Sequence, residues 1–129
     1  MAFLNSANME ISRLQNGSPK KFVLEYLRDN AVGYLNAKPW GDIEAHLIAN
    51  NIRMSQTKFQ QTVLKESRGG DIFIGSNDHG VGKGYFLIKD ESDAKIAREF
   101  CSRRIAAQQA NLTNLDRLMK EEFHTSCVI

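Results

Sequence analysis

The sequence predicts a mainly helical α+β fold: a three-helix core, a β-hairpin and a long C-terminal helix. Three observations carry that expectation. Apolar residues recur at helical spacing in three successive segments between Pro19 and Arg68. Between Ile72 and Ile88 the pattern changes to two short apolar runs separated by Gly, Asn and Asp. From Asp90 to Phe123 the helical pattern returns and runs without a Pro or Gly. With 129 residues, 42% hydrophobic and 25% charged, the chain has the composition of one ordinary globular domain.

The elements follow in order. Residues 1–18 read as an N-terminal tail, with at most a short helix over Met9 to Leu14, closing on the breaker Asn16-Gly17-Ser18-Pro19. Ser18 or Pro19 opens the first core helix, whose stripe is Phe22, Val23, Tyr26 and Leu27 and whose end is Asn30. Gly33 to Pro39 is a connection with room for a short strand. Pro39-Trp40-Gly41-Asp42 starts the second helix, carried inward by Ile43, Leu47 and Ile48. After the tight turn Ile52-Arg53-Met54, Ser55 is an N-cap for a third helix that buries Phe59, Val63 and Leu64 and stops at Arg68-Gly69-Gly70. Ile72-Phe73-Ile74 and Tyr85-Phe86-Leu87-Ile88 are the hairpin strands, with Gly75 to Gly84 as a ten-residue tip. Acidic residues at Asp90, Glu91 and Asp93 suit a helix N-terminus. The organisation expected is a tail over 1–18, a domain over 19–89, and a long helix with a short tail over 90–129.

Several chemistries are excluded on residue pattern. Cys101 and Cys127 make neither a disulfide framework nor a zinc site, and fit one core and one tail thiol in a reducing cytoplasm. No apolar run approaches the roughly 18 residues of a membrane span, and the N-terminal residues lack a secretory pattern. His46, His79 and His124 stand apart on separate elements and read as surface histidines. The loop before Gly82-Lys83 fails as a phosphate-binding loop, because Asn77 stands where a glycine is needed and Gly84 follows the lysine. No nucleophile–base pattern stands out, so neither an enzyme nor a cofactor or metal site is expected.

The charge distribution says more than the net charge of +2. Residues 51–89 hold Arg53, Lys58, Lys65, Arg68, Lys83 and Lys89 against Glu66, Asp71 and Asp78, whereas residues 90–129 carry six basic and seven acidic residues. Any basic face belongs to the middle of the chain. There, with Phe59 and Val63 turned inward, an α-helix directs Gln56, Thr57, Lys58, Gln60, Gln61 and Lys65 outward. Glutamine pairs bidentately with adenine, and lysine reaches guanine or phosphate. In the hairpin tip, Asn77, His79 and Lys83 lie among glycines that let backbone amides approach a phosphate, although Asp78 opposes such contact.

Ser55-Gln56-Thr57-Lys58-Phe59, Ile74-Gly75-Ser76 and Gly84-Tyr85-Phe86-Leu87, within Lys20 to Lys89, resemble the winged helix-turn-helix family, in particular its small bacteriophage proteins. A long helix with Arg and Gln, here Ser102-Arg103-Arg104-Ile105 to Asn111, is similar to what often follows in those proteins. The resemblance implies sequence-specific binding of double-stranded DNA in phage or bacterial transcription or replication control. The helix from Ser55 would enter the major groove, and the wing around Asn77 to Lys83 would touch the backbone or minor groove. The alternative is an anti-defence inhibitor or adaptor that uses the same fold to bind a host or phage protein, which the low net charge and Asp78 favour.

The last helix holds a second pattern. Cys101, Ile105, Gln108, Leu112, Leu115 and Met119 are spaced 4, 3, 4, 3, 4, a heptad seam with one polar member. Its first half is expected to pack back through Ile96, Ala97 and Phe100. The distal half is expected to form a homodimer through Ile105, Leu112, Leu115 and Met119.

Overall fold

A computed structural model describes residues 2–68, 74–78, 80 and 83–123. By its contacts the chain divides within the last helix, into a first unit ending at Ala97 and a second starting at Arg98.

The first unit begins with a helix, α1, over Ala2–Arg13. This corrects the expected loose tail over residues 1–18. Ala7 and Ile11 are buried in the core, and Leu14 packs against it. The stripe depends on a small residue, which lets α1 approach α2 (Pro19–Asn30) closely but gives little hydropathy signal. Ser18 caps α2 by accepting the Lys21 N–H at 3.2 Å, with Pro19 in the first helical turn. Val23, Leu24 and Leu27 face the core. Phe22 and Tyr26 are half-buried and lie on His46, at centroid distances of 4.9 and 4.3 Å. His46 is therefore half-buried against aromatic rings rather than a plain surface histidine.

The connection after α2 forms a 3₁₀ turn, Tyr34–Asn36, between two single bridges, Val32 to Leu87 and Lys38 to Tyr85. Helix α3 (Trp40–Ala49) buries Ile43 and Leu47, but Ile48, expected inward, is 60% exposed. Asn51, at φ 60°, turns the chain, and the Ile52 N–H closes on the Leu47 carbonyl at 2.9 Å. Ile52 and Met54 then pack against the core.

The next helix, α4 (residues 56–68), is not uniform. It opens as an α-turn, Gln56–Lys58, continues as a π-helical segment, Phe59–Leu64, and returns to α over Lys65–Arg68. Ser55 caps it, accepting the Lys58 N–H at 3.0 Å. The Lys65 N–H reaches back five residues to the Gln60 carbonyl, the π pattern. Phe59, Val63, Leu64 and Ser67 are buried. The expected stop at Gly69-Gly70 lies outside the described residues.

Strands β1 (Ile74–Asn77) and β2 (Gly84–Leu87) pair antiparallel, Ile74 with Leu87 and Asn77 with Gly84. The expected ten-residue tip is therefore shorter, residues 78–83, because Gly75, Ser76, Asn77 and Gly84 belong to the strands. Gly75 reads as loop but serves the strand, since a Cβ there would strike the Phe86 ring. At Gly84, φ is 121° and a Cβ would collide with the Lys38 backbone. Ile88 follows β2 instead of belonging to it, and Ile72 and Phe73 lie outside the described residues.

The last helix, α5, runs over Glu91–Phe123. Its first turns pack Ala94, Ile96 and Ala97 with Phe86 and Ile88, as expected for Ile96 and Ala97. Asp93, 1% exposed, accepts the Tyr34 N–H at 2.9 Å and the Lys89 N–H at 3.0 Å. Asp90 caps the helix by accepting the Asp93 N–H at 2.9 Å. That bond, aided by Lys89, holds the Asp90 carboxyl below the usual range.

In the second unit, α5 continues from Arg98 with the guanidinium groups of Arg103 and Arg104 6.0 and 5.5 Å from the Phe100 ring centroid. Ile105, Leu112 and Leu115 are exposed, while Cys101 and Met119 are half-buried.

Candidate nucleic-acid interface

The π segment decides which side chains of α4 share a face. A uniform α-helix turns about 100° per residue, so residues four apart drift steadily around it. A π turn takes more than four residues, so over Phe59–Leu64 residues four apart drift the opposite way, and along the mixed helix the two drifts largely cancel. Three rows result. Thr57, Gln61 and Lys65 form the outward row, all exposed and opposite buried Phe59 and Val63. Lys58, Thr62 and Glu66 occupy one flank, and Gln56, Gln60 and Arg68 the other. The broad outward face expected from α periodicity is thereby sorted.

The two flanks differ in what they hold. On the hairpin side, Gln56 and Gln60 each donate to the Tyr85 hydroxyl at 3.3 Å. Arg68 donates to the Ile74 carbonyl at 2.9 Å and to the Ser76 hydroxyl at 2.8 Å. Tyr85 itself lies edge-on to Phe59 at 4.9 Å, and Trp40 lies 5.1 Å from Phe59 on another side. This flank joins α4 to the sheet. On the other flank, Thr62 bonds back to the Lys58 carbonyl at 2.6 Å, and Glu66 is neutralised by Lys20 at 3.1 Å. With Glu66 paired, Lys58 and Lys65 stand exposed with no ion-pair partner among the described residues.

Ahead of the Ser55 cap, Arg53 is exposed and lines an open groove of about 640 Å³ with Glu44, Ile48, Asn51, Met54 and Lys58. Lys83 is exposed just before β2, and Asn77 is half-buried at the end of β1. His79 lies outside the described residues. Sequence reasoning brought Thr57, Gln61 and Lys65 forward but did not separate them from Gln56 and Gln60, each of which donates to the Tyr85 hydroxyl. It missed Tyr85, Arg68 and Ser76 as the parts that fix the helix against the hairpin. The signal for Arg68 was a cation beside a glycine pair, and for Tyr85 a hydroxyl on an apolar strand.

No family model, no curated protein and no solved structure matches the chain. The site is read from its own chemistry. Among the described residues no three His, Cys, Asp or Glu side chains could hold a metal ion. No helix among them is long and apolar enough to cross a membrane. What α4 offers is a rigidly mounted row of hydrogen-bonding and cationic side chains with free donors and acceptors. Such a row is suited to a polar, anionic surface with regularly placed base edges.

Proposed function

We propose that this chain is a winged helix-turn-helix protein that binds duplex DNA sequence-specifically, in transcription or replication control. In this reading α3, the turn at residues 50–55 and α4 form the helix-turn-helix, and the β1–β2 hairpin is the wing. The domain runs over 19–89 with α1 added to its core. The observation that carries the reading is the exposed row Thr57, Gln61 and Lys65, flanked by unpaired Lys58, on a helix whose opposite face is buried. A helix of this kind fits the major groove, where Gln61 and Thr57 reach base edges and the lysines reach guanine or phosphate. Gln56 and Gln60 support the row through Tyr85 instead of reading bases. Lys83 and Asn77, with His79, supply the wing contacts, which position but do not specify. No step of catalysis is part of this function.

The test is a titration of the full chain with duplex DNA fragments at about 50 and 200 mM salt, followed by fluorescence anisotropy. A few lysine contacts weaken binding by an order of magnitude or more across that range. Absence of binding at the lower salt would overturn the reading. It would favour the protein-partner alternative, which draws on the groove beside Arg53 and on exposed Ile48.

A further inference from the structure

We propose that the distal half of α5 pairs, parallel and in register, with the same segment of a second copy of this chain. The seam is the row Cys101, Ile105, Gln108, Leu112, Leu115 and Met119. Ile105 is 70% exposed and Leu112 and Leu115 are 50% exposed, so this unit carries an apolar stripe on an otherwise polar helix. The charges keep off it. Arg117 bonds Glu121 at 3.0 Å and Asn114 at 2.8 Å, both on the side away from the seam.

The flanking positions choose the partner and its direction. In a parallel pair, a residue on one flank meets the residue five further along the second copy. That rule brings Arg104 to Gln109, Asn111 to Asp116, and Leu118 to Phe123. All three pairs are chemically matched. Leu118 and Phe123 are 41% and 69% exposed, so their contact removes further apolar surface from water. The half-buried Asp116 has an Oδ1 with no hydrogen-bond partner among the described residues, and the Asn111 amide of the second copy supplies a donor. An antiparallel pair instead sets Arg104 against Leu118 and Gln108 against Leu112. The parallel pair stacks Gln108 on Gln108, where each amide both donates and accepts. A polar layer of that kind fixes register at some cost in affinity. The seam and its flanks cover on the order of 1,200 Å² over both chains, the lower edge of stable interfaces. A dimer at micromolar concentration follows.

The inference does not depend on the DNA reading, and its test uses no DNA. Sedimentation equilibrium of the full chain from about 1 to 100 µM should give a dimer mass. L112D/L115D should give a monomer whose Trp40 fluorescence still reports a folded first unit. In C127S, oxidised glutathione should link the two copies through Cys101, because the parallel seam brings these two thiols together at the twofold axis. C101A/C127S should show no link. A monomeric wild type at 100 µM would overturn the pairing. A dimer whose Cys101 thiols fail to link, but in which C127S/M119C links Cys101 to position 119, would overturn the parallel register.

Discussion

Asp93→Asn is the sharpest probe of how the first unit is held together. The side chain is 1% exposed, and its two oxygens accept the backbone N–H groups of Tyr34 and Lys89. The asparagine is isosteric, so the packing around the side chain is not the variable. One amide oxygen can still accept one N–H, now as a neutral bond. The amide nitrogen must face the other N–H, donor against donor. A bond to a charged acceptor contributes about 1.5–3 kcal/mol, and an unsatisfied buried donor costs a further ~1–3 kcal/mol. Releasing the buried carboxylate charge offsets part of that loss. A net destabilisation of about 2 kcal/mol remains, which lowers the melting temperature of a unit near 100 residues by roughly 8–16 °C. Urea unfolding followed through Trp40, the single tryptophan and a neighbour of Phe59, measures it directly. A midpoint unchanged from wild type, at unchanged slope, would show that the 3₁₀ turn and the start of α5 do not depend on this carboxylate.

Three further outcomes are expected. Lys58→Ala and Lys65→Ala should each lower the slope of log affinity against log salt by about one, read in the DNA titration. Gln61→Ala should change preference between DNA sites by roughly 1–3 kcal/mol, whereas Lys83→Ala should weaken all sites alike, as a binding screen over varied duplexes would reveal. Asp90 has its folded-state pKa lowered by the Asp93 N–H. Its contribution is therefore full above the ordinary carboxylate pKa and lost as pH falls through the lowered value, so Asp90→Asn should flatten the acid limb of a stability–pH curve.

What could be read along the chain was what is encoded locally. Ser18 and Ser55 are helix caps because a hydroxyl followed by a helical stripe has one common use, and both make the expected bond. The uninterrupted helix to Phe123 was equally plain. Helix α1 was missed because Ala7, which it buries beside Ile11, scores as nearly neutral. Gly75 and Ser76 were assigned to a loop by composition, yet Gly75 is required by the Phe86 ring across the sheet. The π segment, Phe59–Leu64, leaves no mark in residue type. For the site, the exposed residues of α4 were legible from the positions of Phe59 and Val63. Their division into an outward row and a hairpin-facing flank was not, because it depends on the Tyr85 hydroxyl, twenty-five residues beyond Gln60.

The π segment also sets which change in length α4 can absorb. A π turn holds more residues than an α turn, so Phe59–Leu64 carries what amounts to one inserted residue. Removing one residue there would let the helix relax to a regular α ladder and leave Lys65 and Arg68 facing nearly as they do now. Forcing α geometry on the full-length segment would do the opposite. Every side chain beyond it would swing by about 100° around the axis. Lys65 would leave the line of Thr57 and Gln61, and Arg68 would turn away from Ile74 and Ser76 in the same motion. The extra residue is thus stored where the helix can shed it without turning its far end.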